Sequence, residues 1–203
     1  MRVLLAAVGT RGDVQPALAL ALELRKLGHA VRLCISPNFV GWATRLGLEA
    51  VPMGVEMRLP GRKAGAMPTL TPEELRRLRE SMPDLVTDQF ETIGAAIDGC
   101  DVIVGANAHQ YAAPSIAEHA GIGCVTAVYA PVAIPSTEQW HDTAKTWNER
   151  ALDRINDNRG RLGMHPIVDV LDYVLTAHTW LAADATLALV PAALGPDGYL
   201  GAR

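Results

Sequence analysis

Four things are scarce in this 203-residue sequence, and each scarcity removes a class of protein. Aromatic residues make up 5% of the chain, four Trp, four Tyr and two Phe. That is too little for a surface on which nucleic-acid bases stack. There is no basic tract and the formal net charge is −4, so neither nucleic acid nor an anionic membrane is an expected partner. The cysteines are three, Cys34, Cys100 and Cys124, with no metal-ligand spacing. Cys34 and Cys124 fall in expected strands and Cys100 just before one. Buried free thiols in a reducing compartment fit that placement, and a cytoplasmic location is expected. Long apolar runs are also absent. The first begins at Val3 and stops at Gly9, too short for a signal-peptide core or a membrane span. Internal repeats and low-complexity tracts are missing as well.

What remains is a globular composition, 49% hydrophobic and 20% charged, long enough for one sizeable core. Val3-Leu4-Leu5-Ala6-Ala7-Val8 reads as a buried strand. A helix follows with Val14, Leu18, Leu22 and Leu24/Leu27 on one side, stopped at Gly28. Asp13 is placed as its N-cap and Pro16 in its first turn. Ala30 to Ile35 reads as a second strand. Further along, strands are expected at 48–53, 101–106, 124–129 and 185–190. Helices are expected at 38–46, from Thr71 to the break at Pro83, and at 84–97, 111–120, 140–159 and 167–177, with Gly160 interrupting. Strand and helix alternate throughout. The expected fold class is α/β, a doubly wound, Rossmann-like and mostly parallel sheet with helices on both faces. Residues 1–190 read as one domain and 191–203, with Gly195, Pro196, Gly198 and Gly201, as a linker or tail.

In such a fold ligands meet the loops at the carboxyl ends of the strands. The first is Gly9-Thr10-Arg11-Gly12-Asp13. Its glycines permit close backbone approach. Thr10 brings a hydroxyl to a helix N-terminus, a setting that suits an anion, and Arg11 adds a positive charge. Asp13 offers a carboxylate to a bound hydroxyl. The plain alternative is that it merely caps the helix, a role that makes it a weaker base. Two nucleotide motifs are excluded here. Gly9 and Gly12 are three apart with no glycine between, so G-x-G-x-x-G fails, and Cys34-Ile35-Ser36-Pro37-Asn38 lacks the ribose-binding acid. No G-x-x-x-x-G-K-[ST] occurs either.

Two more strand exits lie on the same edge. Asn107, His109 and Gln110 are polar groups with no evident structural duty, although a surface histidine is an equal account of His109. The other exit, Tyr129 through Pro131 and Ile134, is rigid and apolar; Tyr129 packs or donates a hydrogen bond. Residues 54–71 lose all periodicity and read as a long loop, either functional or merely superficial. Arg76, Arg77 and Arg79 read as a solvated helix face.

Gly9-Thr10-Arg11-Gly12-Asp13-Val14-Gln15-Pro16, with Met1-Arg2-Val3-Leu4-Leu5 before it and Leu27-Gly28-His29-Ala30-Val31 after, resembles the N-terminal domain of GT-B glycosyltransferases. The group that decorates antibiotic aglycones and sterols is the most similar. The resemblance implies one half of a GT-B fold and an inverting sugar transferase. This half would hold a small-molecule aglycone, and a C-terminal half, absent here, would hold most of the nucleotide-sugar donor. It implies Asp13 as general base and Thr10 and Arg11 as contacts to the donor phosphate. Asn107, His109, Gln110, Tyr129, Pro131 and Ile134, with the 54–71 loop, would border the acceptor. Asp184 stands where the family commonly has Ala-Asp before a strand. No metal is expected, and the nucleotide sugar is a co-substrate rather than a cofactor. The chain is expected to stop near the interdomain linker and to be inactive alone; its exposed interdomain face allows self-association. A catalytically silent binding or docking module is the alternative reading.

Overall fold

A computed structural model describes residues 1–56, 84–136, 138–175 and 178–184. β1 (Arg2–Ala7) is buried at every position after the first. Alternate residues face opposite ways, as a pleated strand requires, and each face enters a different core. Leu4 and Ala6 meet one cluster of buried side chains; Val3, Leu5 and Ala7 meet the other. Around β1 run β2 (Ala30–Ile35), β3 (Glu49–Pro52), β4 (Val102–Ala106), β5 (Gly123–Val128) and β6 (Thr179–Leu181), in the order β3-β2-β1-β4-β5-β6. Every neighbouring pair is parallel. Pro52, unable to donate to a ladder, ends an edge strand, where the sequence places it.

α1 (Arg11–Lys26) and α2 (Pro37–Arg45) cover one face. The other is covered by α3 (Leu85–Ala96), α4 (Ala113–Ala120), α5 (Trp140–Arg161) and α6 (Val170–Val174). The doubly wound expectation therefore holds. The winding direction changes between β1 and β4, so a crevice opens at their carboxyl ends.

Several boundaries differ from expectation. α1 starts at Arg11 with Thr10 as N-cap, so Asp13 is the third helical residue and not the cap. Pro16 consequently lies inside the helix, where it removes one backbone hydrogen bond. Gly28 does end α1: at φ 84° it donates to Arg25 O, while His29 N–H reaches Leu24 O. α4 begins at Ala113, two residues late, and the Ala112 N–H before it donates to Gln89 Oε1 at 3.2 Å. α5 continues through Gly160 and stops before Gly163. α6 is five residues long, not eleven, and is followed by the unexpected β6. The strand expected at 185–190, the tail at 191–203, the helix opened at Thr71 and most of the 54–71 loop lie outside the described residues.

All three cysteines are free thiols. Cys34 and Cys100 are buried and Cys124 half-buried; burial pushes Cys34 and Cys124 up to about 12. Among the described residues no helix is long and apolar enough to cross a membrane. No group of three or more His, Cys, Asp or Glu there is gathered for a metal.

Candidate active site

The crevice between β1 and β4 is built from short loops on buried strands. Leaving β1, the chain turns at Gly9, whose φ of 143° is closed to most side chains. Ser36, fully buried at the end of β2, fixes this turn from both sides: its Oγ accepts from Gly9 N at 2.8 Å and donates to Gly9 O at 3.0 Å. A Cβ at Gly9 would overlap the Asp13 carboxylate. The glycine is needed because the carboxylate lies directly against the backbone.

Asp13 is half-buried on the first turn of α1. Its Oδ2 accepts from Thr10 N at 2.7 Å and Thr10 Oγ1 at 3.1 Å. Its Oδ1 accepts from Asn107 Nδ2 at 3.0 Å, across the crevice from the β4 exit. Asn107 adopts φ 86°, a conformation asparagine tolerates better than most residues. His109 follows, with one side open and its ring stacked on Trp147, centroids 5.7 Å apart. The edge of Tyr111 closes the cluster. Burial holds His109 below the usual histidine range; Asp13 opposes that shift and Arg150 adds to it.

These groups border a cleft of about 280 Å³ lined by Val8, Gly9, Thr10, Asp13, Gly54, Val55, Leu85, Asp88, Asn107 and His109. Its walls are largely apolar, with two carboxylates among them. Asp88, on the first turn of α3, accepts a short hydrogen bond from Gly54 N. A second groove, of about 600 Å³, shares His109 and runs along Ala133, Pro135 and the α5 residues Asp142, Thr143, Thr146 and Trp147.

The structure thus brings Thr10, Asp13, Asn107 and His109 together and places the other expected residues elsewhere. Arg11 leans over the Trp42 ring at 5.5 Å and bonds Gln15, outside the cleft lining. Gln110 is 1% exposed and stands behind Asn107. Tyr129 is half-buried within the α1-side core and lines neither cavity. Its hydroxyl is pushed up by burial and by the Asp13 charge. Pro131 starts a turn of 3₁₀ helix, and Ile134, 3% exposed, belongs to the opposite core. From that exit Ala133 and Pro135 reach the groove instead. Asp88, Leu85, Ser36 and Trp147 were not foreseen. All but Ser36 are helix residues, and on a helix only packing decides which side chain meets a cavity.

Comparison with known proteins gives the family of the chain. Residues 3–136 match the glycosyltransferase family 28 N-terminal domain. The dTDP-epi-vancosaminyltransferase of Amycolatopsis orientalis is 35% identical over 202 residues, covering 96% of this chain and 49% of that protein. The vancomycin aglycone glucosyltransferase of the same organism is 34% identical over 209 residues, covering 93% and 50%. Among solved structures, the glycosyltransferase VinC in complex with DTDP shares the fold. Its TM-score is 0.61 at 20% identity, over 95% of this chain and 51% of that one. The chain spans about half the length of the curated relatives it matches. With its six-stranded parallel sheet and this match, the chain belongs to glycosyltransferase family 28, as the Rossmann-like N-terminal half of a GT-B fold.

Proposed function

We propose that this domain holds the acceptor in an inverting glycosyl transfer from a nucleotide sugar to a hydroxyl of a natural-product aglycone, with Asp13 as general base. The observation that carries the reading is a carboxylate on the wall of an apolar cleft, at the switch point of the sheet, bonded only by donors. Three donors occupy three of its roughly four lone-pair sites, leaving one for a guest in the cleft that Asp13 lines. The acceptor O–H donates to that site. As its proton passes to Asp13, the oxygen bonds to the anomeric carbon, and the bond to the nucleoside diphosphate breaks with its electron pair on the diphosphate. A positioned base of this kind contributes about a hundred- to ten-thousand-fold.

Thr10, on the cleft wall, would meet the donor phosphate; Arg11 would do so after leaving Trp42. His109 and Asn107 border the acceptor directly. Gln110, Tyr129 and Ile134 support that wall from behind, and Pro131 begins the turn that carries Ala133 and Pro135 to the groove. The step uses no metal, and the nucleotide sugar enters as co-substrate, held chiefly by a second half. The relatives' names support an aglycone as acceptor and a dTDP-linked sugar as donor.

The test joins this chain to a family C-terminal half and offers vancomycin aglycone with dTDP-glucose. Sugar transfer with inverted anomeric configuration, read by NMR of the product, is expected. For the chain alone, calorimetry should show the aglycone binding and the nucleotide sugar not. Product with retained configuration would contradict the inverting step. Aglycone binding with no transfer in the joined protein would favour a silent binding module.

A further inference from the structure

We infer that Asn107 is the positioning residue for Asp13, fixing which carboxylate oxygen faces the cleft and keeping it open to accept a proton. The inference rests on the reading of Asp13 as base, but its structural core can be tested apart from it. All four hydrogen-bonding positions of the Asn107 amide are committed. Oδ1 accepts from His109 N at 3.0 Å and Gln110 Nε2 at 3.1 Å. Nδ2 donates to Val8 O at 3.1 Å and Asp13 Oδ1 at 3.0 Å. Two of these partners are backbone groups and cannot exchange roles. A flipped amide would set N–H against the His109 N–H and oxygen against the Val8 carbonyl, so the NH₂ group must face Asp13.

The backbone is tied down as well. Asn107 N–H donates to Ala127 O at 2.8 Å, and φ 86° aims the side chain back over the β1 exit. The amide therefore bridges β1 and β4 and meets a carboxylate that Thr10 holds only by its other oxygen. Without Asn107, Oδ1 would have no protein partner among the described residues. The carboxylate would then be anchored through Oδ2 alone, by Thr10, and Oδ1 with its open lone pair could swing away from the acceptor. An amide suits this duty because it donates without titrating. A carboxylate at the same position would face Asp13 as a like charge, and the two would share a proton.

The titratable groups near Asp13 are His109 from the β4 exit, Tyr129 from the β5 exit and Asp88 from α3, while Arg11, two residues away on α1, leans over Trp42 instead. The test must separate them. In this chain, labelled with ¹⁵N, the Asn107 side-chain signals are identified by their loss in Asn107→Gly, which tolerates φ 86°. They are expected to move with pH in a single acid step that disappears in Asp13→Asn and persists in Asp88→Asn. Signals indifferent to pH, or a step that survives Asp13→Asn, would overturn the inference.

In the joined enzyme, Asn107→Gly should lower kcat at least about tenfold, the cost of one hydrogen bond to a charged group. Asn107→Asp should move the acid limb of the kcat profile upward by about one pH unit or more. Wild-type kcat in Asn107→Gly together with an unmoved limb in Asn107→Asp would equally overturn it. Full turnover in Asp13→Asn, with the acid step present in the wild-type chain and lost in that variant, would contradict the base role while upholding the Asn107–Asp13 bond.

Discussion

Gly9 and Gly12 sit three residues apart and do different work. A Cβ at Gly9 would strike the Asp13 carboxylate, and φ 143° is strained for any other residue. Gly9→Ala should cost about 1–3 kcal/mol and displace the carboxylate, lowering both melting temperature and turnover. A Cβ at Gly12 meets only Thr10 Oγ1, at 3.7 Å, within the helix. Gly12→Ala should therefore stabilise the chain by about 0.5–1 kcal/mol in thermal melts. His109 supplies a titration test of the same cleft. Burial and Arg150 lower its pKa while the Asp13 charge raises it. Its imidazole should titrate below the usual 6.5, and Asp13→Asn should lower it further. Histidine NMR shifts followed through pH would show either outcome; an upward move would contradict the placement of Asp13 beside it.

At the scale of elements, three helices on the β4–β6 side are tied by one buried arginine. Arg159 of α5, 3% exposed, donates to Glu118 and Ser115 of α4, to Tyr173 of α6 and to the His165 carbonyl. Arg159→Met should cost at least about 2 kcal/mol by leaving these partners unmatched. Glu118, whose side chain is 52% exposed, matters less. Its pKa is lowered from 4.5, first by the Arg159 hydrogen bonds, so its contribution is complete above that value. The stability gap between wild type and Glu118→Gln, about 0.5–1 kcal/mol, should close as pH falls through the lowered pKa. Denaturant melts at several pH values would show this.

The same scale explains what the sequence disclosed. β1, β2, β4 and β5 are apolar runs bounded by turns, a pattern that burial on both faces imposes, so they were legible. α1 starts three residues before the expected position, because a carboxylate reaching back from the first turn resembles, in sequence, a carboxylate before it. β6 has only Thr-Trp-Leu, too short to show alternation. Site residues on strand exits, Thr10, Asp13, Asn107 and His109, could be read because topology alone sends those exits to one edge. Asp88 and Trp147 could not, since a first-turn acid and a stripe tryptophan are ordinary on any helix. Ile134 sits in an apolar exit, and nothing in its neighbours' identity tells a pocket wall from a core.

For the whole molecule, the sheet order fixes where the loops converge. The change of winding direction between β1 and β4 opens the crevice, and loops from both strands meet there through the Asp13–Asn107 bond. The second groove shares His109 with that cleft and runs along α5. The larger claim is that this edge accepts a proton from an aglycone while a second half presents the sugar. The most direct measurement is turnover of Asp13→Asn in the chain joined to a family C-terminal half, with acceptor affinity measured on the same protein. The account predicts unchanged acceptor binding and at least about a hundredfold loss of sugar transfer. Transfer at the wild-type rate would contradict it.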